Sequence, residues 1–224
     1  MPRRSAPDLV AHLPPLPTRR LSDRIWFAAY YAIGFVALGL LVSTQKPAVL
    51  DMSARPLAGI GTQAALLLTE TGLFPVYATI SVVLLIAGIV ERRWLRAVLI
   101  SIVTLLTAWQ VSDACKNLFH RPRPNYWVLI HEPSWSYPSG HTTLVIAFYG
   151  FWTAVAWMSD LPLVAKRWIR VAFAVWAIAI GWARLALGAH YLTDLVGGYL
   201  LGAAMASAGM IVYRLLDTPA EETT

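Results

Sequence analysis

Six long stretches of this chain are poor in Asp, Glu, Lys and Arg, and they decide most of what it can fold into. They run over residues 25–42, 74–90, 97–112, 142–158, 168–187 and 195–213. The third continues to about residue 118 through Asp113 and Lys116. The fifth has Arg170 and Arg184 near its ends, and the sixth starts near Tyr191. Each approaches the roughly 20 residues that a helix needs to cross a bilayer core of about 30 Å. Backbone N–H and C=O groups cannot go unpaired in lipid, so the expected fold is all-α, a polytopic bundle of six transmembrane helices. A shorter apolar stretch, 57–68, contains Gly59, Gly61, Thr62 and Gln63 and reads as an interfacial or re-entrant helix.

Composition closes off other classes. Of 224 residues, 58% are apolar and 13% charged, against about half and a quarter in soluble domains. That is too little charge to coat a soluble sphere and too much apolar surface for disorder. Cys115 is the only cysteine, so no disulfide scaffold is possible within the chain. The net charge of +6 is spread between apolar runs and forms no stripe, which argues against nucleic acid. It fits membrane topology together with an anionic substrate.

The basic residues also give an orientation. With the N-terminus cytoplasmic, Arg3, Arg4, Arg19, Arg20, Arg24, Arg92, Arg93, Arg96, Lys166, Arg167, Arg170 and Arg214 lie inside, twelve of the eighteen. Lys46, Arg55, Lys116, Arg121, Arg123 and Arg184 lie outside. An excess of that size near span ends places both termini in the cytoplasm. The expected organisation is a cytoplasmic tail over 1–24, a helical domain over 25–214 and a second cytoplasmic tail over 215–224. The first tail, rich in Pro and Arg, reads as disordered and lacks the pattern of a cleaved signal peptide. Trp26, Trp94, Trp157 and Trp168 fall at the inner boundaries, as an aromatic belt should. Gly198 and Gly202 are spaced for close helix contact within the bundle.

Ionisable residues at membrane depth mark functional sites, and three segments carry them: Lys116 to Pro124, Tyr137 to His141, and Arg184 to Asp194. In this topology all three reach one membrane face. Pro138, Ser139 and Gly140 before an apolar run form a helix start that Ser139 can cap. The free N–H groups and positive dipole end of such a start suit an anion. Gly140 allows close approach of an oxyanion, and His141 lies in the first turn. His190 and Asp194 are four apart, so on a helix they share a face. An Asp accepting one ring N–H of a His fixes its tautomer and points the other nitrogen outward. Lys116, Arg123 and Arg184 are three cations, enough to hold the oxygens of a transferring phosphoryl group. Taken singly, each residue has a blander reading as a snorkelling cation, a cap or a turn. His120, His131 and Arg121 are left to that reading, with Arg121 adding at most to the local field.

Together the three segments resemble the signature of the type 2 phosphatidic acid phosphatase superfamily, which includes membrane lipid phosphatases and soluble vanadium haloperoxidases. Lys116 and Arg123-Pro124 match its first motif, Pro138 to His141 its second, and Arg184, His190 and Asp194 its third. Ala183 stands where that third motif usually has Ser, so any hydrogen bond from that hydroxyl is missing. The resemblance implies an integral membrane lipid phosphatase, in the bacterial inner membrane, with its site on the outer face. It implies His190 as nucleophile forming a phosphohistidine, Asp194 as its orienting partner, and His141 as acid and then base. Lys116, Arg123, Ser139, Gly140 and Arg184 would bind phosphate. No cofactor and no metal are implied, since three cations already neutralise the charge a metal would take. The implied substrate is a lipid phosphate or polyprenyl diphosphate, with undecaprenyl diphosphate, phosphatidylglycerol phosphate and phosphatidic acid as candidates. Phosphotransfer to a lipid hydroxyl is an alternative within enzymes, and a non-catalytic lipid-phosphate binding or transport protein an alternative outside them. The oriented nucleophile argues against the latter. Oligomeric state is not encoded legibly.

The charge asymmetry makes a direct prediction. A reporter fused after Asp217 is cytoplasmic, and a cysteine placed between Pro124 and Ser134 is labelled by an impermeant maleimide on intact cells. Labelling of that loop only after permeabilisation would overturn the orientation.

Overall fold

A computed structural model describes residues 21–43, 47–126 and 128–216. The tails expected to be cytoplasmic lie almost wholly outside these residues. The helices are α1 (Leu21–Val42), α2 (Val49–Ala54), α3 (Thr62–Thr71), α4 (Phe74–Val90), α5 (Arg92–Phe119), α6 (Gly140–Met158), α7 (Leu163–Ala186) and α8 (Leu192–Leu215), with a 3₁₀ turn at Arg55–Leu57. The fold is all-α among the described residues. Local signals set several boundaries. Pro75 occupies the first turn of α4, where its missing N–H costs nothing. Pro162 precedes α7, and α5 ends on His120 in the left-handed region, φ 48°. Gly188, at φ 65°, turns the chain from α7 back into α8, a conformation that a side chain would strain.

The six expected spans correspond to α1, α4, α5, α6, α7 and α8, though among the described residues length and apolarity alone support fewer than six crossings. Four helices, α1, α5, α7 and α8, are long and apolar enough. The helix α4 has only 17 residues, and it continues α3 through a bend of 43°. Counting that bent pair as one span gives five. The helix α6 has 19 residues but opens on His141, Thr142 and Thr143, which dilute its apolar character. The stretch expected to be interfacial, 57–68, therefore runs from the end of the 3₁₀ turn through the Gly59 and Gly61 turn into α3, which joins α4 as one broken element.

Apolar side chains cover the outside of the bundle as well as filling its inside. Large apolar side chains point outward, with Ile33 68%, Val83 61% and Ile178 67% exposed. Ser101, Thr104, Ser112, Thr142 and Thr143 are buried. Where lipid is as apolar as Leu, helices associate through close packing of small residues and internal hydrogen bonds. The centre is α8, against which α6 and α1 pack most extensively. A Cβ at Gly198 would stand 2.0 Å from Thr142 Oγ1 and 2.6 Å from the Ser139 carbonyl, and one at Gly202 2.5 Å from the Thr143 carbonyl. These glycines bring α8 backbone onto the first turns of α6. Tyr137 stacks on Phe35 at 5.4 Å, meets Phe119 edge-on at 5.1 Å, and donates its hydroxyl to the Phe35 carbonyl at 2.6 Å. That cluster ties α1 to the loop preceding α6.

The ends of α5 and α7 and the starts of α6 and α8 therefore meet at one end of the bundle, where the three polar segments lie. At the opposite end Arg24 reaches Met158 at 3.7 Å and Arg96 donates to the Leu216 carbonyl. Gly198→Ala should lower stability by about 1–3 kcal/mol through overpacking and depress activity by shifting Ser139. Gly150→Ala should do neither, because a Cβ there meets nothing nearer than 3.7 Å. Thermal unfolding in detergent and turnover of an aryl phosphate check both.

Candidate active site

The loop between α5 and α6 lies over the junction of α7 and α8. His190 sits in the turn before α8, one residue ahead of its N-cap Tyr191, and not on the helix as the spacing suggested. Its Nδ1 is 3.6 Å from Asp194 Oδ2. The pairing expected from the sequence is thus present in space, but it is shared. Ser136 donates its hydroxyl to Asp194 Oδ2 at 2.5 Å and stands 3.4 Å from His190 Nδ1. The backbone N–H of Tyr191 donates to the same oxygen at 2.8 Å.

The other ring nitrogen faces cations. Arg123 Nη1 lies 3.1 Å from His190 Nε2 and 2.7 Å from the Ala189 carbonyl. A guanidinium only donates, so Nε2 accepts and the ring proton resides on Nδ1, toward Ser136 and Asp194. Burial, then Arg123, Arg184 and Lys116, hold the His190 imidazole well below its usual range, opposed by Glu132. It is neutral near pH 7, with its lone pair on Nε2.

The remaining predicted residues converge on the same space. Arg123 is fixed through Nε to the Ser134 carbonyl at 2.8 Å and through Nη2 to the Ser134 hydroxyl at 3.0 Å. Lys116 Nζ approaches that hydroxyl at 3.3 Å. A Cβ on Gly140 would stand 3.7 Å from Lys116 Nζ, so the glycine leaves an open approach to the ammonium. Arg184, 1% exposed, donates Nη1 to Thr69 Oγ1 at 2.7 Å and Nη2 to Glu132. His141 Nε2 is 3.3 Å from the same Thr69 hydroxyl. Ser139 occupies the N-cap position of α6, yet its side chain makes no capping hydrogen bond, contrary to the sequence expectation. Its Oγ is buried without a hydrogen-bond partner among the described residues, and its backbone N–H donates to the Asp194 carbonyl at 3.1 Å. An unpaired buried hydroxyl costs about 1–3 kcal/mol, which an incoming acceptor would recover.

Several neighbours of this cluster escaped the sequence reading. Arg121 was assigned at most a contribution to the local field, but it is 1% exposed and donates to Asp194 Oδ1 at 2.5 Å and to Asp51 Oδ2 at 2.7 Å. The Arg-x-Arg-Pro spacing was visible, but nothing local said which arginine turns inward. Asp51, Thr69, Glu132 and Ser136 come from distant segments and carry no motif. Glu132 lies between Arg184 and Arg123, with Oε2 at 3.9 Å from Arg123 Nη2. Burial alone would raise its carboxyl. Arg184 first and Arg123 next outweigh that and pull it down to about 2, so it is ionised at neutral pH. Among the described residues, no three His, Cys, Asp or Glu side chains converge as metal ligands.

Residues 95–217, more than half of the chain, match the family model of the PAP2 superfamily. Over 94 residues the chain is 33% identical to phosphatidylglycerophosphatase B of Bacillus subtilis (strain 168). That match covers 41% of this chain and 46% of the relative, under half of its length. A longer match, 27% identical over 209 residues, joins 84% of this chain to 85% of the lipid A 1-phosphatase of Rhizobium etli. In three dimensions the chain is similar to the crystal structure of a transmembrane PAP2-type phosphatidylglycerolphosphate phosphatase from Bacillus subtilis. The TM-score is 0.73 at 21% identity, covering 89% of this chain and 100% of the other, which speaks to the fold. The chain belongs to the PAP2 superfamily.

Glu132 holds a negative charge between two of the cations, where an incoming oxyanion would have to compete with it. Glu132→Gln should tighten inhibition by vanadate roughly fivefold, since one charge at about 4 Å contributes on the order of 1 kcal/mol in a solvated setting. Titration of vanadate against the purified variant checks this. Weaker inhibition would mean that Glu132 serves the anion by positioning Arg184.

Proposed function

We propose that this member of the PAP2 superfamily is an integral membrane hydrolase that removes phosphate from a lipid phosphate or polyprenyl diphosphate through a phosphohistidine. The observation that carries the reading is the hydrogen bond of 3.1 Å from Arg123 to His190 Nε2. The nitrogen that bears the lone pair faces the cations that would bind its electrophile. A phosphoryl group held by Arg123, Lys116 and Arg184 is within reach of that nitrogen, and the free N–H groups at the start of α6 and the unpaired Ser139 hydroxyl add donors.

In the first step His190 Nε2 attacks phosphorus, the P–O bond to the lipid breaks with its electron pair, and His141 protonates the leaving oxygen. In the second step His141 accepts a proton from water, which attacks phosphorus and releases His190. Asp194 and Ser136 hold the Nδ1 proton throughout. Three cations take the charge that a metal ion takes in other phosphoryl-transfer sites. The basic residues at the opposite end support an outward-facing site with both termini cytoplasmic, and the domain over 25–214 working as one unit with six membrane passages, α4 and α6 included. The relatives named above, a phosphatidylglycerophosphatase and a lipid A 1-phosphatase, support lipid-linked phosphate as the substrate class.

The experiment combines phosphate release from a panel of lipid phosphates in detergent with a rapid-quench trap using labelled aryl phosphate. His190→Ala should form no phosphoenzyme with any leaving group. His141→Ala should lose about 10²–10⁴-fold on a lipid monoester yet still accumulate phosphoenzyme from the aryl ester, whose leaving group needs little protonation. Label retained in His190→Ala and absent in His141→Ala would reverse the two roles.

A further inference from the structure

Behind Asp194, away from the proposed phosphate seat, lies a second carboxylate that the mechanism above does not use. Asp51, on the six-residue α2, is fully buried. Its Oδ2 accepts from Arg121 Nη2 at 2.7 Å and from the Ala48 N–H at 2.9 Å. Its Oδ1 accepts from the Thr193 N–H at 2.9 Å and the Thr193 hydroxyl at 2.8 Å. Arg121 bridges the two acids, with its guanidinium 4.5 Å from the centre of the Tyr191 ring and its Nη1 also 2.7 Å from Thr193 Oγ1.

The charge count of this triad bears on the chemistry. When Nε2 bonds to phosphorus, His190 keeps its Nδ1 proton and the ring becomes cationic. Asp194 is the acid positioned to stabilise that cation, as the buried Asp of a catalytic triad stabilises an imidazolium. An ion pair of 2.5 Å with Arg121 would by itself cancel most of the field of Asp194. Asp51 cancels Arg121 instead and leaves the three groups with one net negative charge. We infer that Asp51 is a positioning residue for the phosphoryl transfer, acting through Arg121 to keep a net negative charge on Asp194 behind His190. A purely architectural role, in which Asp51 only anchors α2 to the start of α8, would use the same hydrogen bonds but would not depend on the charge count.

The inference rests on His190 being the nucleophile, so the wild type is first trapped with labelled aryl phosphate. Absence of label on His190 there would remove that reading and not this one alone. Asp51→Asn retains the shape and removes one charge. Its kcat should fall about 10- to 100-fold, the usual size for a group that acts through another. KM should stay within about twofold, because Lys116, Arg123 and Arg184 are untouched. Removing Arg121 as well restores the net charge. The double variant Asp51→Asn/Arg121→Met should therefore turn over at least tenfold faster than Asp51→Asn alone. A double variant as slow as the single one, or an Asp51→Asn enzyme with unchanged kcat, would overturn the proposal. If Asp51→Asn is not recovered as a monodisperse protein, the double variant decides on its own. A kcat within about tenfold of the wild type supports the charge count, and a larger loss overturns it.

Discussion

Charge buried in a lipid-facing bundle has to be paired, and the arrangement of this protein follows from that requirement. Arg121, Arg184, Asp51, Asp194 and His190 are all at most 2% exposed. An ion placed there without a partner would cost several kcal/mol, so each guanidinium is met by a carboxylate and each carboxylate by further donors. Arg121 satisfies Asp51 and Asp194, and Arg184 is met by Glu132 and Thr69. The partners come from α2, α3, the α5–α6 loop, α7 and α8. The site is therefore also the knot that fixes how those elements meet, and a change in one charge is felt by the others.

Small residues make that knot reachable. Gly198 and Gly202 let α8 lie on the backbone of α6, which carries the Ser139 N–H to the Asp194 carbonyl. Without that approach the first turn of α6 would stand off from the turn that holds His190. The same economy appears at Gly140, where the missing side chain leaves Lys116 open.

Much of this was legible in the sequence, for identifiable reasons. The long helices follow from runs without charge, and the convergence of Lys116, Arg123, Gly140, His141, Arg184, His190 and Asp194 follows from where those runs end. Periodicity could not say how many helices cross fully, since α4 falls short in length and bends into α3. Nor could spacing reveal that the Ser139 hydroxyl leaves its capping role unfilled. The roles of Arg121 and Asp51 were invisible because a buried ion pair between residues seventy positions apart leaves no local trace. Arg121 looked like an ordinary membrane-edge charge, and nothing in its surroundings drew attention to Asp51.

One consequence attaches to Glu132 and concerns the end of the catalytic cycle. Inorganic phosphate keeps the oxyanions by which the ester would be bound, and three cations would hold it tightly. Glu132 is tethered beside two of them, on a loop whose Ser134 already grips Arg123. A tethered group acts at an effective concentration in the millimolar range or above, far beyond what free anions reach in dilute medium. In the proposed cycle the carboxylate can therefore reclaim its place as product leaves, so that the seat proposed to capture phosphate also lets it go.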